Sequence, residues 1–578
     1  MTAARSFTHA LVERFAERAG HTALLCLAET DEPGGAVAHP YRELDARART
    51  VAAALHRHRL TGAPVLVATE GGVHTVAALL GCLYAGAVAV PVPPPDGSRA
   101  AAERTALIAA ETGAPLLLTH STYAPEFSRR LADAGRPAVM CLAVDGLVDD
   151  GDADVPLPSV AGSDTALIQY TSGTTAAPRG VQVTHANLLA TMEDLRRALR
   201  TDAGARIGGW LPLHHDLGLV GQLLHPLWLG ATAVLMPGRL FAAQPLRWLR
   251  EVARHGVTVT AAPDSAYDRC LAAVTDADLA ELDLGRLVTA VNAAEPVSAV
   301  TQTAFARRFA AAGLTPGALV TGYGLAEATL LVTVGGSGPA ATITVGAGEL
   351  ERGRLSPPEP GRPVRTLVSS GRPASVTVRI VDPASAEILP GGTVGEIWVR
   401  GEAVTTGYWH RPLETAASFG AVTACGESGY LRTGDLGALY DGELYVTGRI
   451  KDALLVDGRT LHPQEAERQL SRRGTPFGSA VVLAEPGGHE EIVAIQEVHG
   501  ALWSPSQLAG LADRVRDCLH GEFGAEPGRV VLVRPGTVRR TTSGKVRRSL
   551  MRDLYLRGEL RPLYDRPGTP AAEEELST

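Results

Sequence analysis

The sequence predicts an α/β fold: a large N-terminal domain of helix-flanked mixed or parallel sheets plus a small β-barrel, followed by a small α+β domain. Helical and strand-like segments alternate up to about residue 334, which is typical of a mostly parallel sheet with helices on its faces. Short strand patterns then dominate up to residue 447, and a compact unit with a hairpin and a helix start follows residue 451.

The first elements are indicated by the spacing of apolar residues. Residues 41–55 carry them at helical spacing, whereas residues 63–68 and 115–119 are short apolar runs that predict buried strands. The longest apolar run, residues 76–92, is interrupted by two glycines and one proline and is short for a bilayer span. It therefore predicts a buried helix that leads into a strand.

The later elements are shorter. Residues 376–381, 395–400 and 443–447 predict strands of a small β-barrel or sandwich. Residues 453–461 have the pattern of a hairpin with an Asp-Gly turn, and Pro463 stands where a helix would begin.

The length of 578 residues suggests roughly three or four folding units. Residues 335–373, rich in Gly, Pro, Arg and Ser, separate the alternating region from the strand-rich one. The predicted organisation is an N-terminal domain 1–450, with α/β subdomains at about 1–160 and 161–370 and a β-barrel at about 371–450, then a C-terminal domain 451–565 and a disordered acidic tail 566–578.

Composition and charge argue against several classes of protein. The net charge is −8 and no basic stripe is present, which argues against a nucleic acid partner. The N-terminus lacks the apolar core of a signal peptide, and no segment predicts stable insertion into a membrane. The six cysteines are scattered without a Cys-x-x-Cys pair, which favours reduced thiols in the cytoplasm and argues against a zinc cluster.

A loop rich in hydroxyl groups follows the predicted strand at residues 166–169. Its residues offer many hydrogen-bond donors in a small volume, which suits a polyphosphate. They are Thr171, Ser172, Gly173, Thr174 and Thr175. No Gly-Lys-Ser/Thr sequence closes the loop, so it is not a Walker loop.

Lysine is scarce in this chain. Lys451 and Lys545 are its two lysines among 54 lysines and arginines together. A lysine that persists under such a bias indicates a place where a slim, flexible ammonium is needed rather than a planar guanidinium. Lys545 ends a Thr-Thr-Ser-Gly-Lys turn at 541–545, and Lys451 lies in Gly-Arg-Ile-Lys-Asp at 448–452.

These motifs belong to an ordered set. Two more lie between the hydroxyl-rich loop and the lysines, Gly-Tyr-Gly-Leu-Ala-Glu at 322–327 and Thr-Gly-Asp at 433–435. The set resembles the adenylate-forming, or AMP-binding, superfamily of acyl-CoA synthetases, luciferases and peptide-synthetase adenylation domains, over about residues 8–560. Trp-Leu-Pro-Leu-His-His-Asp-Leu-Gly-Leu at 210–219 and Asn-Ala-Ala-Glu-Pro-Val at 292–297 are most similar to the fatty acyl-AMP ligases.

The resemblance implies ATP-dependent activation of a fatty or related carboxylic acid to acyl-AMP and pyrophosphate. The acyl group would then pass to the phosphopantetheine arm of an acyl carrier protein, in lipid or natural-product assembly. ATP and Mg²⁺ are the implied cofactors, and the C-terminal domain would be mobile, with its hinge at Lys451 and Asp452. The family's extra segment, associated with refusal of CoA, is expected within residues 335–370.

The nucleotide contacts are implied in the same way. The hydroxyl-rich loop would hold the β- and γ-phosphates, although Ala176 and Arg179 stand where the family usually has Gly and Lys. If position 176 needs a left-handed backbone, alanine costs about 1–2 kcal/mol there. The contacts implied for adenosine are Tyr323 and Gly324 with Ala294 and Glu295 at the adenine, and Asp435 with Arg449 at the ribose hydroxyls.

The catalytic roles also follow from the resemblance. Glu327, assisted by Thr174, would bind magnesium, and His215 would lie beside the substrate carboxylate. Lys545 would bridge that carboxylate and the α-phosphate. Such a cation is needed because negative charge accumulates as the carboxylate attacks phosphorus, and one well-placed electrostatic contact is typically worth about 3 kcal/mol of barrier.

Three alternatives stay open at this point: an acyl-CoA ligase, an amino-acid adenylation enzyme and an inactive binding homologue. The product formed when CoA is supplied distinguishes the first. The second uses an early aspartate to bind the amine, and Asp216 lies one residue too late for it. Ala176 and Arg179 suggest the third, which a lack of pyrophosphate exchange with every carboxylate would favour.

Overall fold

The computed structural model describes residues 6–27, 35–68, 71–95, 99–136, 138–148, 157–171, 178–336, 338–456, 459–484, 492–500, 502–523, 525–540 and 546–567. Over these residues the chain forms six sheets accompanied by helices, so the predicted α/β fold class is confirmed.

The first part of the chain alternates helices and strands as the apolar spacing predicts. In chain order they are α1 (Phe7–Glu17), β1 (Thr22–Leu27), β2 (Ala36–Pro40), α2 (Tyr41–Arg57), β3 (Pro64–Ala68), α3 (Gly72–Ala85), β4 (Val88–Val92), α4 (Arg99–Thr112), β5 (Leu116–Thr119), α5 (Ala124–Asp133), β6 (Met140–Ala143), β7 (Thr165–Tyr170) and β8 (Gly180–Thr184).

The first large sheet has six strands in the order β6-β5-β3-β4-β7-β8. Neighbouring strands are parallel, except that β7 and β8 are antiparallel. The long apolar run at 76–92 forms most of helix α3 and all of strand β4, as predicted. Gly86 ends α3 in the left-handed conformation, with φ of 65°, a geometry that glycine adopts without strain.

The second part contains the elements that follow β8. They are α6 (His185–Leu199), β9 (Arg206–Gly209), a π-helix (Leu217–Leu224), α7 (His225–Leu229), β10 (Thr232–Leu235), α8 (Gly238–Ala243), α9 (Pro245–Arg254), β11 (Val259–Ala262), α10 (Asp264–Ala273), α11 (Asp276–Glu281), β12 (Thr289–Asn292), α12 (Ala299–Phe309), β13 (Leu319–Gly324), β14 (Leu331–Val334), β15 (Thr342–Gly346), α13 (Ala347–Glu351), β16 (Val364–Val368) and β17 (Arg372–Pro373).

The second large sheet has nine strands in the order β17-β14-β13-β12-β11-β9-β10-β1-β2. Its strands β1 and β2 come from the beginning of the chain, whereas β7 and β8 of the first sheet come from after residue 160. The two sheets are interleaved, so the predicted boundary near residue 160 does not separate them. The cause is the parallel pairing of β1 with β10, in which Leu24 lies opposite Ala233, a long-range contact that local apolar spacing does not encode.

A third sheet forms where the small β-barrel or sandwich is predicted. Its elements are β18 (Thr377–Val381), β19 (Gly395–Arg400), α14 (Pro412–Ser418), β20 (Leu431–Tyr440) and β21 (Glu443–Arg449). The four strands pair in chain order and all pairs are antiparallel.

The last part of the chain forms a compact α+β unit. Its elements are β22 (Leu454–Val456), β23 (Arg459–Leu461), α15 (Pro463–Arg472), β24 (Phe477–Ala484), β25 (Ile492–Val498), α16 (Pro505–Phe523), β26 (Pro527–Val533), α17 (Arg548–Leu556) and β27 (Pro562–Pro567). Strands β22 and β23 pair as the predicted hairpin, whose Asp-Gly turn lies outside the described residues, and α15 begins at Pro463 as predicted. Strands β24 to β27 form one sheet in chain order.

The division into domains at residue 450 stays a prediction. At the other end, β27 extends two residues into the predicted disordered tail, because Arg566 pairs with Val530 of β26. Residues 568–578 lie outside the described part. Within the described residues, no helix is long and apolar enough to cross a membrane.

Helix α15 carries the main polar contacts between the last unit and the rest of the chain. Arg468 donates from Nη2 to the Pro296 carbonyl at 3.0 Å, and Arg472 donates from Nη1 to Ser298 Oγ at 2.9 Å. These two arginines are one helical turn apart and therefore lie on the same face of α15. They contact the chain just after Ala294 and Glu295, which the sequence assigns to the adenine.

The segment at 335–370 contains the two-stranded antiparallel sheet β15-β16 and the short helix α13. Its Arg365 guanidinium lies 4.5 Å from the centre of the Phe523 ring, at the end of α16. This segment thus contacts the last unit, while its predicted role in refusing CoA stays a prediction.

Candidate active site

The hydroxyl-rich loop is anchored at both of its described ends. Strand β7 ends at Tyr170, and the Thr171 amide then donates to the Arg179 carbonyl at 3.0 Å. From helix α4, Arg104 Nη2 donates to the Thr171 carbonyl at 3.2 Å. Residues 172–177, which include the predicted phosphate-binding residues Ser172, Gly173, Thr174 and Thr175 as well as Ala176, lie outside the described residues.

A tyrosine connects Arg179 with Glu327. The Tyr408 hydroxyl donates to Glu327 Oε1 at 2.9 Å, and the Arg179 guanidinium lies 5.3 Å from the centre of the same ring. The predicted magnesium ligand and the predicted phosphate-loop cation are therefore joined through one side chain. Nothing in the sequence around Tyr408 indicates this role.

The predicted ribose residues form one hydrogen-bonded group. Asp435 and Arg449 lie opposite each other on β20 and β21, and Arg449 Nε is 2.7 Å from Asp435 Oδ1. The Tyr323 hydroxyl, at the end of β13, donates to Asp435 Oδ2 at 2.7 Å. Burial and the neighbouring Asp435 carboxylate raise the pKa of Tyr323 well above its ordinary value, so the phenol stays protonated. Asp435 is 4% exposed, and these two partners hold its carboxylate in place.

The residues assigned to the adenine lie on two neighbouring strand ends, because β12 and β13 are parallel neighbours. Ala294 is exposed and has φ of +68°, an uncommon conformation for a residue with a Cβ. The Glu295 carboxylate accepts the Ser265 amide at 3.0 Å. At Gly324 a Cβ would stand 1.7 Å from the Leu330 carbonyl oxygen, so only glycine allows the two chains to approach.

Two consecutive histidines precede the π-helix. His214 is buried, and its backbone carbonyl accepts Gln169 Nε2 at 2.6 Å. Burial, together with His215 and Arg104, lowers the pKa of His214 well below its ordinary value, so this imidazole is neutral. The His215 ring lies 4.5 Å from that of His214, centre to centre, and is less buried. The site thus has one inner neutral histidine, which is the one influenced by Arg104, and one outer histidine.

Glu327 has the properties of a ligand for a hard cation. Burial raises its pKa, and no described cation forms an ion pair with it. Within the described residues no group of three or more His, Cys, Asp or Glu side chains could hold a metal ion. Mg²⁺ usually keeps several waters and binds phosphates with one or two carboxylates, so a single carboxylate at this place fits magnesium better than an ion held by protein ligands alone.

The predicted hinge is tied to the segment that follows Lys545. Lys451 is exposed, and the adjacent Asp452 accepts Arg548 Nη1 at 2.9 Å and Gln464 Nε2 at 3.1 Å. Lys545 lies outside the described residues. Two residues further on, Arg547 is close enough to Arg104 to lower its pKa, after the larger effect of burial. The segment after Lys545 therefore approaches the hydroxyl-rich loop.

Three functional candidates are missing from the sequence prediction: Arg104, Tyr408 and Arg547. Their contacts span long distances in sequence. Arg104 contacts Thr171 across 67 residues and Tyr408 contacts Glu327 across 81 residues. An arginine bias makes Arg104 and Arg547 inconspicuous, and only the spatial arrangement reveals them.

Comparison with known proteins adds independent evidence. A family profile described as AMP-binding enzyme matches residues 11–409. The chain is 35% identical to the medium-chain fatty acid–acyl-carrier-protein ligase JamA of Moorena producens, over 90% of each chain. It is also 35% identical to the long-chain fatty acid–AMP ligase FadD23 of Mycobacterium tuberculosis, over 93% of this chain and 94% of that one.

A solved structure has the same architecture. It is the fatty acyl-adenylate ligase of Legionella pneumophila in complex with acyl adenylate and pyrophosphate, which is 30% identical. The alignment has a TM-score of 0.75 and covers 97% of this chain and 98% of that one.

Proposed function

The chain belongs to the AMP-binding enzymes, and we propose that it activates a fatty or related carboxylic acid with ATP and passes the acyl group to an acyl carrier protein. Enzymes of this adenylate-forming family use ATP. Two relatives named above, a fatty acid–acyl-carrier-protein ligase and a fatty acid–AMP ligase, support this substrate and this acceptor. Magnesium and a cytoplasmic location belong to the same proposal; the six free cysteine thiols support a reducing compartment.

The observation that carries the proposal is the group formed by Asp435, Tyr323 and Arg449. One carboxylate with an exposure of 4% is held by a phenol and a guanidinium at 2.7 Å each. Each of its oxygens keeps a lone pair that can accept a ribose hydroxyl. A vicinal diol fits such a fixed carboxylate, and the adenine would then lie toward Ala294 and Gly324.

Positive charge at the other end of the site supports the binding of a polyphosphate there. Arg104, Arg179 and Arg547 come from three separate segments and lie near the ends of the hydroxyl-rich loop. No described carboxylate forms an ion pair with Arg104 or Arg547. Like charges brought together without a counter-ion are costly, and an anion such as the triphosphate of ATP would relieve this repulsion.

The first half-reaction needs orientation and charge stabilisation rather than a protein nucleophile. An oxygen of the substrate carboxylate, placed beside His215, attacks the α-phosphorus. The bond from that phosphorus to the oxygen bridging to the β-phosphorus breaks, and pyrophosphate leaves with the electron pair. Lys545 would neutralise the oxygens between the two reactants, and Glu327 would hold the magnesium. When bound, magnesium supplies charge neutralisation on the phosphate oxygens.

The second half-reaction transfers the acyl group. The thiol of the phosphopantetheine arm loses its proton to solvent and attacks the acyl carbonyl, forming a thioester, and AMP leaves with the electrons of the broken carbon–oxygen bond. The C-terminal unit would turn about Lys451 and Asp452 between the two half-reactions, so that Lys545 leaves the site.

Product analysis tests the proposal. The wild-type enzyme is incubated with ATP, Mg²⁺ and a panel of carboxylic acids, alone, with CoA or with a carrier protein, and the products are identified by mass spectrometry. We expect acyl-AMP in every case and an acyl thioester only with the carrier protein. Acyl-CoA formation would favour the acyl-CoA ligase alternative, and amino acid adenylates would favour the amino-acid adenylation enzyme.

Lys545→Ala tests the mechanism. We expect this variant to lose acyl-AMP formation by about 100-fold or more, which corresponds to the electrostatic contribution of about 3 kcal/mol expected for a placed cation. The thermal midpoint should stay unchanged. Acyl-AMP formation at the wild-type rate would contradict the role of Lys545.

A further inference from the structure

One segment connects the turn that carries Glu327 with the strand that follows the hydroxyl-rich loop. It comprises residues 402–411, between β19 and α14, and we call it the tether. The structure describes it completely. Its function is not evident from its sequence, which has no helical or strand period.

The tether contacts the Glu327 turn at three points. The Thr405 amide donates to the Glu327 carbonyl at 2.9 Å, and the Tyr408 hydroxyl donates to Glu327 Oε1 at 2.9 Å. The Thr329 hydroxyl donates to the Ala403 carbonyl at 2.7 Å. Both the backbone and the side chain of Glu327 are therefore held by the same segment.

The Glu327 turn has a conformation that needs such support. Thr329 has φ of +62° and ψ of −50°, and the Leu330 amide donates to the Ala328 carbonyl at 2.6 Å across it. This is a classic γ-turn, which is rare and strained. Strained residues persist only where surrounding contacts determine their conformation, and they cluster at functional sites.

The other side of the tether holds the exit of the hydroxyl-rich loop. The Trp409 amide donates to the Gly180 carbonyl at 2.7 Å, and the Gln182 amide donates to the Gly407 carbonyl at 3.0 Å. Tyr408 thus lies opposite Val181 in a β-bridge, two residues after Arg179, and the Arg179 guanidinium rests over the Tyr408 ring. A displacement of the tether would move both the carboxylate and the loop exit.

We propose that Tyr408 is a positioning residue for the metal–ATP complex, whose hydroxyl fixes one oxygen of Glu327 and whose ring fixes Arg179. This inference rests on the proposed function, in which Glu327 binds magnesium. With Oε1 engaged by the phenol, Oε2 is the oxygen available to the cation. Phenylalanine keeps the ring over Arg179 and removes the hydroxyl, which donates to Glu327 and is also within reach of Arg179.

The test measures metal binding without turnover. Mn²⁺ replaces Mg²⁺ as a paramagnetic probe, the non-cleavable α,β-methylene analogue replaces ATP, and the Mn²⁺ affinity of the enzyme–nucleotide complex is followed by electron paramagnetic resonance. For Tyr408→Phe we expect an affinity about 10-fold or more below the wild type, as is typical when a group that orients a metal ligand is removed. Binding of the nucleotide without metal should fall less than about twofold, since the ring over Arg179 remains and only the hydroxyl contact with Arg179 is lost.

Tyr84→Phe is the matched control. The Tyr84 hydroxyl also donates to a carboxylate, Asp45, at 2.9 Å, and Tyr84 is buried, but Asp45 is part of helix α2 and has no role in the site. We expect the Mn²⁺ affinity of this variant to equal that of the wild type. A loss as large as that of Tyr408→Phe would mean that any buried phenol–carboxylate bond has this effect, and would overturn the proposal.

A double-mutant cycle with Glu327→Gln distinguishes positioning from a general loss of packing. Once the carboxylate is gone, removal of the Tyr408 hydroxyl should change the Mn²⁺ affinity by less than about twofold. Additive losses would overturn the proposal, as would an unchanged affinity in Tyr408→Phe alone. If wild-type enzyme forms no acyl-AMP with any acid, the proposed function fails, whereas the metal-binding measurements still decide the role of Tyr408.

Discussion

A buried ion pair in the C-terminal unit provides a quantitative prediction. Arg548, at the start of α17, forms a bidentate contact with Glu467, with Nε 3.1 Å from Oε1 and Nη2 2.8 Å from Oε2, and its Nη1 lies 2.9 Å from Asp452. The side-chain exposures of Arg548 and Glu467 are both 9%. The change to be tested is Arg548→Ala, which removes the cation from two carboxylates at once.

The loss of folding stability expected for Arg548→Ala follows from the burial of the ion pair. Removing one partner of a buried ion pair costs about 3–5 kcal/mol because the remaining charge is left uncompensated. Glu467 keeps the Val482 amide, which donates to Oε1 at 3.0 Å, so we expect the lower half of that range for this carboxylate. An exposed pair of similar geometry contributes only about 0–1 kcal/mol. Arg529 with Asp565 is such a pair, at 2.7 Å, with side-chain exposures of 37% and 35%.

Hydrogen–deuterium exchange of the full-length chain measures the effect locally. Peptides covering β24 and β25 should exchange about 100-fold or more faster in Arg548→Ala, since 1.4 kcal/mol corresponds to about tenfold. In Arg529→Ala we expect a change of at most about fivefold. Equal effects in the two variants would refute the reasoning, because burial would then not determine the contribution of the pair.

Three further predictions concern the nucleotide, the hinge and pH. Asp435→Asn should lower kcat/KM for ATP by roughly 10- to 150-fold, as loss of hydrogen bonds to a charged group costs about 1.5–3 kcal/mol; pyrophosphate exchange at varied ATP measures it, and an unchanged value would contradict a ribose contact. Lys451→Pro should leave acyl-AMP formation intact and block acyl transfer, measured as two separate product yields, and equal loss of both would argue against a hinge there. Burial lowers the pKa of His462 to about 4. In the unfolded chain its pKa is near 6.5, so only the unfolded state gains this proton as pH falls from about 6.5 to about 4, and stability decreases by up to about 1.4 kcal/mol per pH unit. As the pH is lowered over this range, the thermal midpoint of His462→Gln should fall less steeply than that of the wild type. Parallel curves would refute the contribution of His462 to this pH dependence.

Much of the fold could be predicted because its elements are locally encoded. Helix α2 and strands β3 and β5 follow from the spacing of apolar residues within single segments, and Pro463 marks the start of α15. The membership of β1 in the second large sheet could not be predicted, since it depends on pairing with β10 about 200 residues later. The π-helix at Leu217–Leu224 was also beyond prediction, because its apolar pattern does not differ from that of an α-helix.

The candidate site could be predicted where its residues lie in motifs that resemble those of the family. Asp435 and Arg449 belong to separate motifs that resemble those of the family, and they face each other across β20 and β21. The Tyr323 hydroxyl on Asp435 depends on a contact across 112 residues, and no sequence spacing indicates it. The contacts of the tether are even less predictable from sequence. Most of them are formed by its backbone amides and carbonyls, and any residue type supplies these groups.

The scarcity of lysine has a physical counterpart in how the arginines are used. Arg548 places its planar fork on Glu467, and Arg411 contacts Glu111 through Nε at 2.6 Å while its Nη1 lies 3.1 Å from Glu414. A guanidinium held at two or more points is suited to a fixed geometry. A hinge, and a cation that must enter and leave a site, need few fixed contacts instead. Every additional fixed contact would have to break each time the C-terminal unit rotates. As the proposed hinge, the exposed Lys451 meets this requirement, and the same reasoning supports the proposed role of an ammonium at position 545.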